Sequence, residues 1–286
     1  MISIILPVYN DEKFIGEAIE FILKQSYTDF ELIVYDDCST DNSLKVINQY
    51  KDSRIKVLVN RHNIGIAKIR NQGIGEAKGE YIFFTDSDCV ADKDWLKNGL
   101  ETFRQNDCLG VEGKTYYNFK NYMKTPSDKL PGDVDGARLY LGCNIAFTRE
   151  IMVRLHGYDE RYLYHADREF ALRVLEIGKI AITREMIITH QKKLWSVMSY
   201  IRSGKRASDR VLLFKDHNDR RRVTFRLLFI NNLVKILFPP LLIYTLIHNK
   251  PKTYLDYKII FASYPKHIYE RCCIWKAAIR ERIFII

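Results

Sequence analysis

Neither glycine-rich phosphate-binding signature occurs in this 286-residue chain: Gly-x-Gly-x-x-Gly is absent, and so is Gly-x-x-x-x-Gly-Lys-Ser/Thr. The first absence excludes a dinucleotide-dependent dehydrogenase, and the second excludes a P-loop nucleotidase. The first strand runs instead into Tyr9-Asn10-Asp11-Glu12, with none of the glycine-rich basic loop of a sugar nucleotidyltransferase. Six cysteines (Cys38, Cys89, Cys108, Cys143, Cys272 and Cys273) show no Cys-x-x-Cys and no other zinc-ligand spacing. No basic segment precedes the apolar run Ile2 to Val8, so no export signal is read. Together these features predict a reducing, cytosolic compartment. There is no internal repeat.

What is present is an apolar, unevenly charged chain. Hydrophobic residues make up 47%, ample for a core, so global disorder is excluded. The net charge of +10 is concentrated at one end. Residues 190–286 hold 20 Lys and Arg against 6 Asp and Glu, whereas the first 189 hold 25 against 29. An acidic front and a basic back imply different partners, the basic part facing anionic lipid, nucleic acid or a phosphorylated substrate.

The front alternates between two periodicities. Ile2 to Val8, Glu31 to Tyr35, Lys56 to Val59 and Tyr81 to Phe84 are short apolar runs that predict strands. Between them, Phe14 to Leu23, a stretch from Ser39-Thr40-Asp41 to Tyr50, and Ile64 to Ala77 have helical spacing, the last stopped by Gly79. A further helix is expected from Asp92 to Phe103. This order predicts an α/β fold with a mostly parallel sheet flanked by helices, in which ligands bind beyond the carboxyl ends of the strands. Three polar clusters fall there: Pro7-Tyr9-Asn10, Asp36-Asp37 and Asp86-Asp88. The middle is less regular, with a loop or lid over 117–137, a strand over Leu141 to Thr148 and a helix over Asp167 to Ile177.

Asp86-Ser87-Asp88 is the most informative triplet. Two carboxylates one residue apart, leaving a buried strand, can share a divalent cation such as Mg²⁺ or Mn²⁺. Such an ion could neutralise a departing diphosphate. The alternative is an ordinary acidic turn. In Asp36-Asp37-Cys38-Ser39-Thr40-Asp41, Asp37 suits base or ribose recognition, while the later residues suit a helix cap.

These stretches, together with Ser3-Ile4-Ile5-Leu6-Pro7-Val8-Tyr9-Asn10, Asn63-Ile64-Gly65-Ile66-Ala67-Lys68-Ile69-Arg70-Asn71 and Gly79-Glu80-Tyr81-Ile82-Phe83-Phe84, resemble the family 2 glycosyltransferases of the GT-A fold. The resemblance continues through Cys143-Asn144-Ile145-Ala146-Phe147-Thr148-Arg149-Glu150 and Gly157-Tyr158-Asp159-Glu160-Arg161-Tyr162, and covers roughly residues 1–190 in order and spacing. It implies an inverting, metal-dependent transferase using a nucleoside-diphosphate sugar, with a UDP-sugar favoured. By similarity, Pro7, Tyr9 and Asp37 would line the nucleobase pocket, and Arg70 would lie beside the nucleotide or else form a surface salt bridge. Asp86 would lie near ribose and metal, Asp88 would bind the metal directly, and His190 would point towards metal or diphosphate, or simply pack. The family's general base is usually the Asp of a Glu-Asp pair at a helix start. Here the matching stretch is His165-Ala166-Asp167-Arg168-Glu169, which assigns the base to Asp167, though Ala166 replaces the preceding acid and Asp167 could instead cap its helix. That departure keeps open a catalytically silent sugar-nucleotide binder or membrane scaffold. Lys192 and Lys193 could meet diphosphate or form a solvated loop.

Residues 191–286 form the expected second region, helical and basic. Leu227 to Ile247 approaches the length of a bilayer span, but Asn231, Asn232, Lys235 and Pro239-Pro240 interrupt it. Arg220-Arg221-Arg222 and Arg226 precede it, which predicts a peripheral, monotopic element on the cytoplasmic face of the membrane. Homo-oligomerisation through the same surface and a true membrane span are the alternatives. No nucleic-acid recognition motif accompanies the basic residues, so nucleic acid is not expected as a partner. A membrane position would suit a glycan or lipid-linked saccharide as acceptor.

Overall fold

A computed structural model of the chain describes residues 1–118, 140–191, 197–217 and 254–282. They fall into two compact units, divided near residue 192. The first is built on an eight-stranded sheet: β1 (Ile2–Val8), β2 (Phe30–Asp36), β3 (Ile55–Val59), β4 (Tyr81–Phe84), β5 (Cys89–Ala91), β6 (Gly110–Asn118), β7 (Ile145–Thr148) and β8 (Ile180–Gln191), in the order β3-β2-β1-β4-β7-β6-β8-β5. The helices of this unit are α1 (Ile15–Leu23), α2 (Ser43–Ile47), α3 (Ile66–Glu76), α4 (Trp95–Gln105), α5 (Arg149–Arg154) and α6 (Ala166–Ile177).

β3, β2, β1 and β4 are parallel, as their strand-helix alternation requires, because a parallel pair needs a crossover connection. β1 is buried along its whole length, which explains why it is a continuous apolar run without alternation. β7 pairs antiparallel with β4 and β6, and β5 pairs antiparallel with β8. β6 and β8 run parallel, with a bulge between Glu112 and Lys114. Beneath this half of the sheet, Phe83 meets Trp95 edge-on with centroids 5.2 Å apart. The Trp95 indole donates to Asn144 Oδ1 at 2.9 Å, so its polar atom is satisfied in the core.

Several boundaries differ from the sequence expectation. The helix expected after Ser39 begins only at Ser43, because Asp41 folds back: its Oδ1 accepts from the backbone amide and the hydroxyl of Ser43. Gly79 does not stop α3, which ends at Glu76. It lies so close to β1 that an added Cβ would sit 2.4 Å from the Ser3 nitrogen. The expected helix from Asp92 begins at Trp95, and the strand expected from Leu141 begins at Ile145, after a turn. The lid expected over 117–137 lies outside the described residues from position 119 onward, as do Lys192, Lys193 and the apolar stretch 227–247.

The second unit contains α7 (Val197–Arg202), a 3₁₀ segment (Ser203–Ser208), α8 (Asp209–His217) and the long α9 (Tyr254–Arg280). Lys266 of α9 lies over the Tyr200 ring at 4.4 Å, and Glu270 is held between Lys266 and His267. No helix among the described residues is long and apolar enough to cross a membrane.

Candidate functional site

The site is assembled where the parallel strands end. Pro7 is buried in β1, in register with Tyr35 of β2, and Tyr9 stands two residues on with 47% of its surface exposed. Asn10 takes a positive φ of 54°, and its Oδ1 accepts from the Thr40 amide at 2.7 Å, tying the end of β1 to the loop after β2. Asp37 donates its own amide to the Val8 carbonyl at 2.8 Å. Its carboxylate accepts from the Asn60 side chain at 2.9 Å and from the amides of Ile64 and Gly65 at 3.0 and 2.9 Å. Asp37 therefore holds the loop that starts α3, a role sequence alone did not suggest. A carboxylate has about four lone-pair sites, so it keeps capacity for a ligand.

Arg70 and Asp86 form the centre. Arg70 projects from α3 into the protein rather than over its surface. Its Nη2 donates to Asp86 Oδ1 at 2.7 Å and to the Gly142 carbonyl at 3.0 Å. Its guanidinium lies 5.8 Å from the Tyr158 ring centroid. Among the described residues, the buried Arg70 Nε and Tyr158 hydroxyl have no hydrogen-bond partner. Gly142 closes this contact from the other side: a Cβ there would come within 2.3 Å of the guanidinium, so only glycine lets the backbone approach. The Gly142 amide donates to Asp167 Oδ2 at 2.7 Å, and Asp167 Oδ1 accepts from the Arg168 amide at 2.8 Å. Asp86, Arg70, Gly142 and Asp167 thus form one polar chain linking β4 to the start of α6.

Burial pushes the Asp167 carboxyl up, against the opposing pull of the Arg70 charge and the two amides. Arg70 itself is held firmly protonated by the Asp86 carboxylate, despite its burial. Burial is also the main reason the Tyr158 phenol is raised. Glu169, one helical turn before Arg173, accepts from it at 2.7 and 2.8 Å, and Arg173 also donates to the Leu155 and Gly157 carbonyls. Its two oxygens serve the fold.

Asp88 sits on the other side of the triplet. Ser87, between the two acids, turns inward and donates to Asp11. Among the described residues, Asp88, Cys89 and His190 form a group whose ligand atoms all lie within 4.8 Å of one another. The Asp88 carbonyl accepts from the Gln191 amide at 2.7 Å, and Asp88 Oδ1 lies 3.7 Å from His190 Nε2. His190 Nδ1 is 3.1 Å from the Gln191 carbonyl, which can only accept. A hydrogen bond there is donated by Nδ1, which leaves Nε2 on the Asp88 side as the nitrogen that could meet a cation. A carboxylate, an imidazole and a thiol fit a divalent cation. Cys89, counted in the sequence only as one of six cysteines, was missed; its position directly after the second acid was the available signal.

The family profile described as "Glycosyl transferase family 2" matches residues 3–162. Over 189 residues the chain is 43% identical to the Escherichia coli "UDP-Glc:alpha-D-GlcNAc-diphosphoundecaprenol beta-1,3-glucosyltransferase WfgD", covering 63% of this chain and 72% of that protein. Two other curated relatives are matched over only 40% and 46% of their own length. The fold is shared with Staphylococcus aureus TarS 1-349 in complex with UDP-GlcNAc, with a TM-score of 0.62 and 19% identity over 99% of this chain and 92% of that one. It is also shared with mannosyltransferase PcManGT from Pyrobaculum calidifontis in complex with GDP-Man and Mn²⁺, with a TM-score of 0.59 and 17% identity over 97% and 73% of the respective chains. This likeness identifies the architecture as GT-A type.

Proposed function

The chain belongs to glycosyl transferase family 2, and from that premise we propose that it is an inverting transferase moving a sugar from a nucleoside-diphosphate sugar onto a saccharide or lipid-linked saccharide. A UDP-sugar is the favoured donor. The observation that carries this reading is the polar chain from Asp86 through Arg70 and Gly142 to Asp167, beside the Asp88–Cys89–His190 cluster.

In this reading Pro7, Tyr9 and Asp37 line the base pocket, and Asp86, held by Arg70, faces the ribose. Asp88 and His190 would hold Mn²⁺ or Mg²⁺, with Asp86 near both the ribose and the ion. When bound, the cation supplies positive charge against the leaving diphosphate. Asp167 accepts the acceptor hydroxyl proton as that oxygen bonds to the anomeric carbon and the bond from carbon to diphosphate oxygen breaks. Arg70 positions Asp167 through Gly142, and its charge favours the ionised form that a base requires.

The test is a panel of UDP-, GDP- and TDP-sugars incubated with purified protein, with and without Mn²⁺. Cation-dependent release of one nucleotide is expected. If titration shows no nucleotide bound with the cation present, the transferase reading fails and a scaffold role takes its place.

Residues 1–190 are proposed as the transferase domain and 191–286 as a region that rests on the cytoplasmic face of the membrane, near the acceptor. Support for the second comes from α9, where Phe261, Ile268, Trp275 and Ile279 are exposed at helical spacing, with the exposed Lys258, Lys276 and Arg280 close by. An apolar stripe flanked by cations suits an anionic bilayer surface. The full chain is expected to sediment with vesicles containing anionic lipid and to be released by Trp275→Glu with Ile279→Glu. Equal sedimentation of both proteins, or none of the parent, would sink this placement.

A further inference from the structure

Cys89 and His190 are direct partners across the antiparallel β5–β8 pair, so their side chains leave the sheet on one face. Asp88, in the turn before β5, brings its Oδ1 to 4.0 Å from the Cys89 sulfur and 3.7 Å from His190 Nε2. Zinc bonds of about 2.0–2.3 Å to oxygen, nitrogen and sulfur can be reached from such a triangle with shifts of a few tenths of an ångström. Asp88 is clamped through its carbonyl by the Gln191 amide, and His190 is oriented by the Gln191 carbonyl. Both partners of the thiol are thus fixed by one residue at the end of β8.

We propose that Cys89 is a third protein ligand of the Asp88–His190 cation position, giving this site a preference for a borderline-soft divalent cation of the zinc class over Mg²⁺. The inference rests on the cation-binding part of the transferase reading. A hard-cation site is built from oxygen ligands, and Mg²⁺ bonds poorly to sulfur, whereas zinc takes carboxylate, imidazole and thiolate together. Binding displaces the thiol proton to solvent, so affinity rises with pH. Three protein ligands leave a fourth position of a tetrahedral ion open to a phosphate oxygen.

The experiment is an optical titration of the full chain with Co²⁺, a probe whose bond to a thiolate gives a charge-transfer band in the near ultraviolet. The band is expected in the parent, lost in Cys89→Ser and in His190→Ala, and retained in Cys272→Ser, which removes an exposed thiol. Competition should show Zn²⁺ affinity falling about tenfold or more in Cys89→Ser, while Mn²⁺ affinity, followed by electron paramagnetic resonance, changes less than about threefold. Mn²⁺ and nucleotide binding by the parent without a thiolate band would overturn the proposal and leave the transferase reading intact. Survival of the band in Cys89→Ser would also overturn it. Should that variant fail to fold, the parent band and its loss in His190→Ala decide the matter. Failure of the parent to bind any divalent cation would overturn both readings.

Discussion

Asp88→Ala is expected to lower kcat by at least about a hundredfold and to abolish its dependence on Mn²⁺, because the substitution removes the anionic oxygen that fixes charge against the leaving diphosphate. The fold should survive. The contact that holds Asp88 in place uses its carbonyl, which accepts from the Gln191 amide and which alanine retains. The carboxylate is only partly buried, beside His190. Steady-state rates over a Mn²⁺ series, with circular dichroism as the folding control, make the comparison. A variant within threefold of the parent rate would remove Asp88 from the chemistry.

The second large effect is expected at Asp167. Asp167→Asn keeps the size of the side chain but cannot accept the acceptor proton, and general-base catalysis contributes typically 10²–10⁴-fold. The pH profile separates this from a positional role. Burial raises the Asp167 carboxyl above the ordinary carboxylate value, and only the ionised form serves as a base. The parent rate should therefore fall as pH drops through that raised value, and the residual rate of Asp167→Asn should lack this limb. The same shift has a stability counterpart. A carboxyl with a raised folded pKa binds protons more readily folded than unfolded, so stability falls as pH climbs from the unfolded value to the folded one. The variant should show a flatter dependence in that window. An unchanged acid limb in Asp167→Asn would assign the base elsewhere.

The parts legible in the sequence are those where a local pattern coincides with burial. β1, β2 and β4 are apolar runs because both faces of these strands are covered, and the parallel half of the sheet follows from their alternation with helices. Of the other half, only β7 lies within an expected strand. β8 carries Thr183, Arg184 and Glu185 amid its apolar residues, and β5 has three residues, too few for any periodicity. Both exist through pairing between distant segments, which no short window contains.

The same division runs through the site. Asp86 and Asp88 could be picked out by their place at a strand end, and Asp167 through the family resemblance at a helix start. That Ser87 would turn inward to Asp11, that Arg70 would be buried between Asp86 and Gly142, and that Cys89 would face His190 all depend on cross-strand registers and close backbone approaches. The Asp37 carboxylate was read for its ligand capacity, and its three bonds to the Asn60–Gly65 loop were invisible until that loop was seen to return to β2.

The β5–β8 pairing also sets a timetable for synthesis. Pro7, Tyr9, Asp37, Arg70 and Asp86 are all made before residue 87, on helix α3 or in and just after the strands β1, β2 and β4, which pair as one parallel set. Asp88 and Cys89 must wait for His190 and Gln191, which at 5–20 residues per second emerge roughly 5 to 20 s later. A nascent chain therefore lacks the Asp88–Cys89–His190 cluster until β8 has been made, and ribosome pausing anywhere between β5 and β8 prolongs that interval.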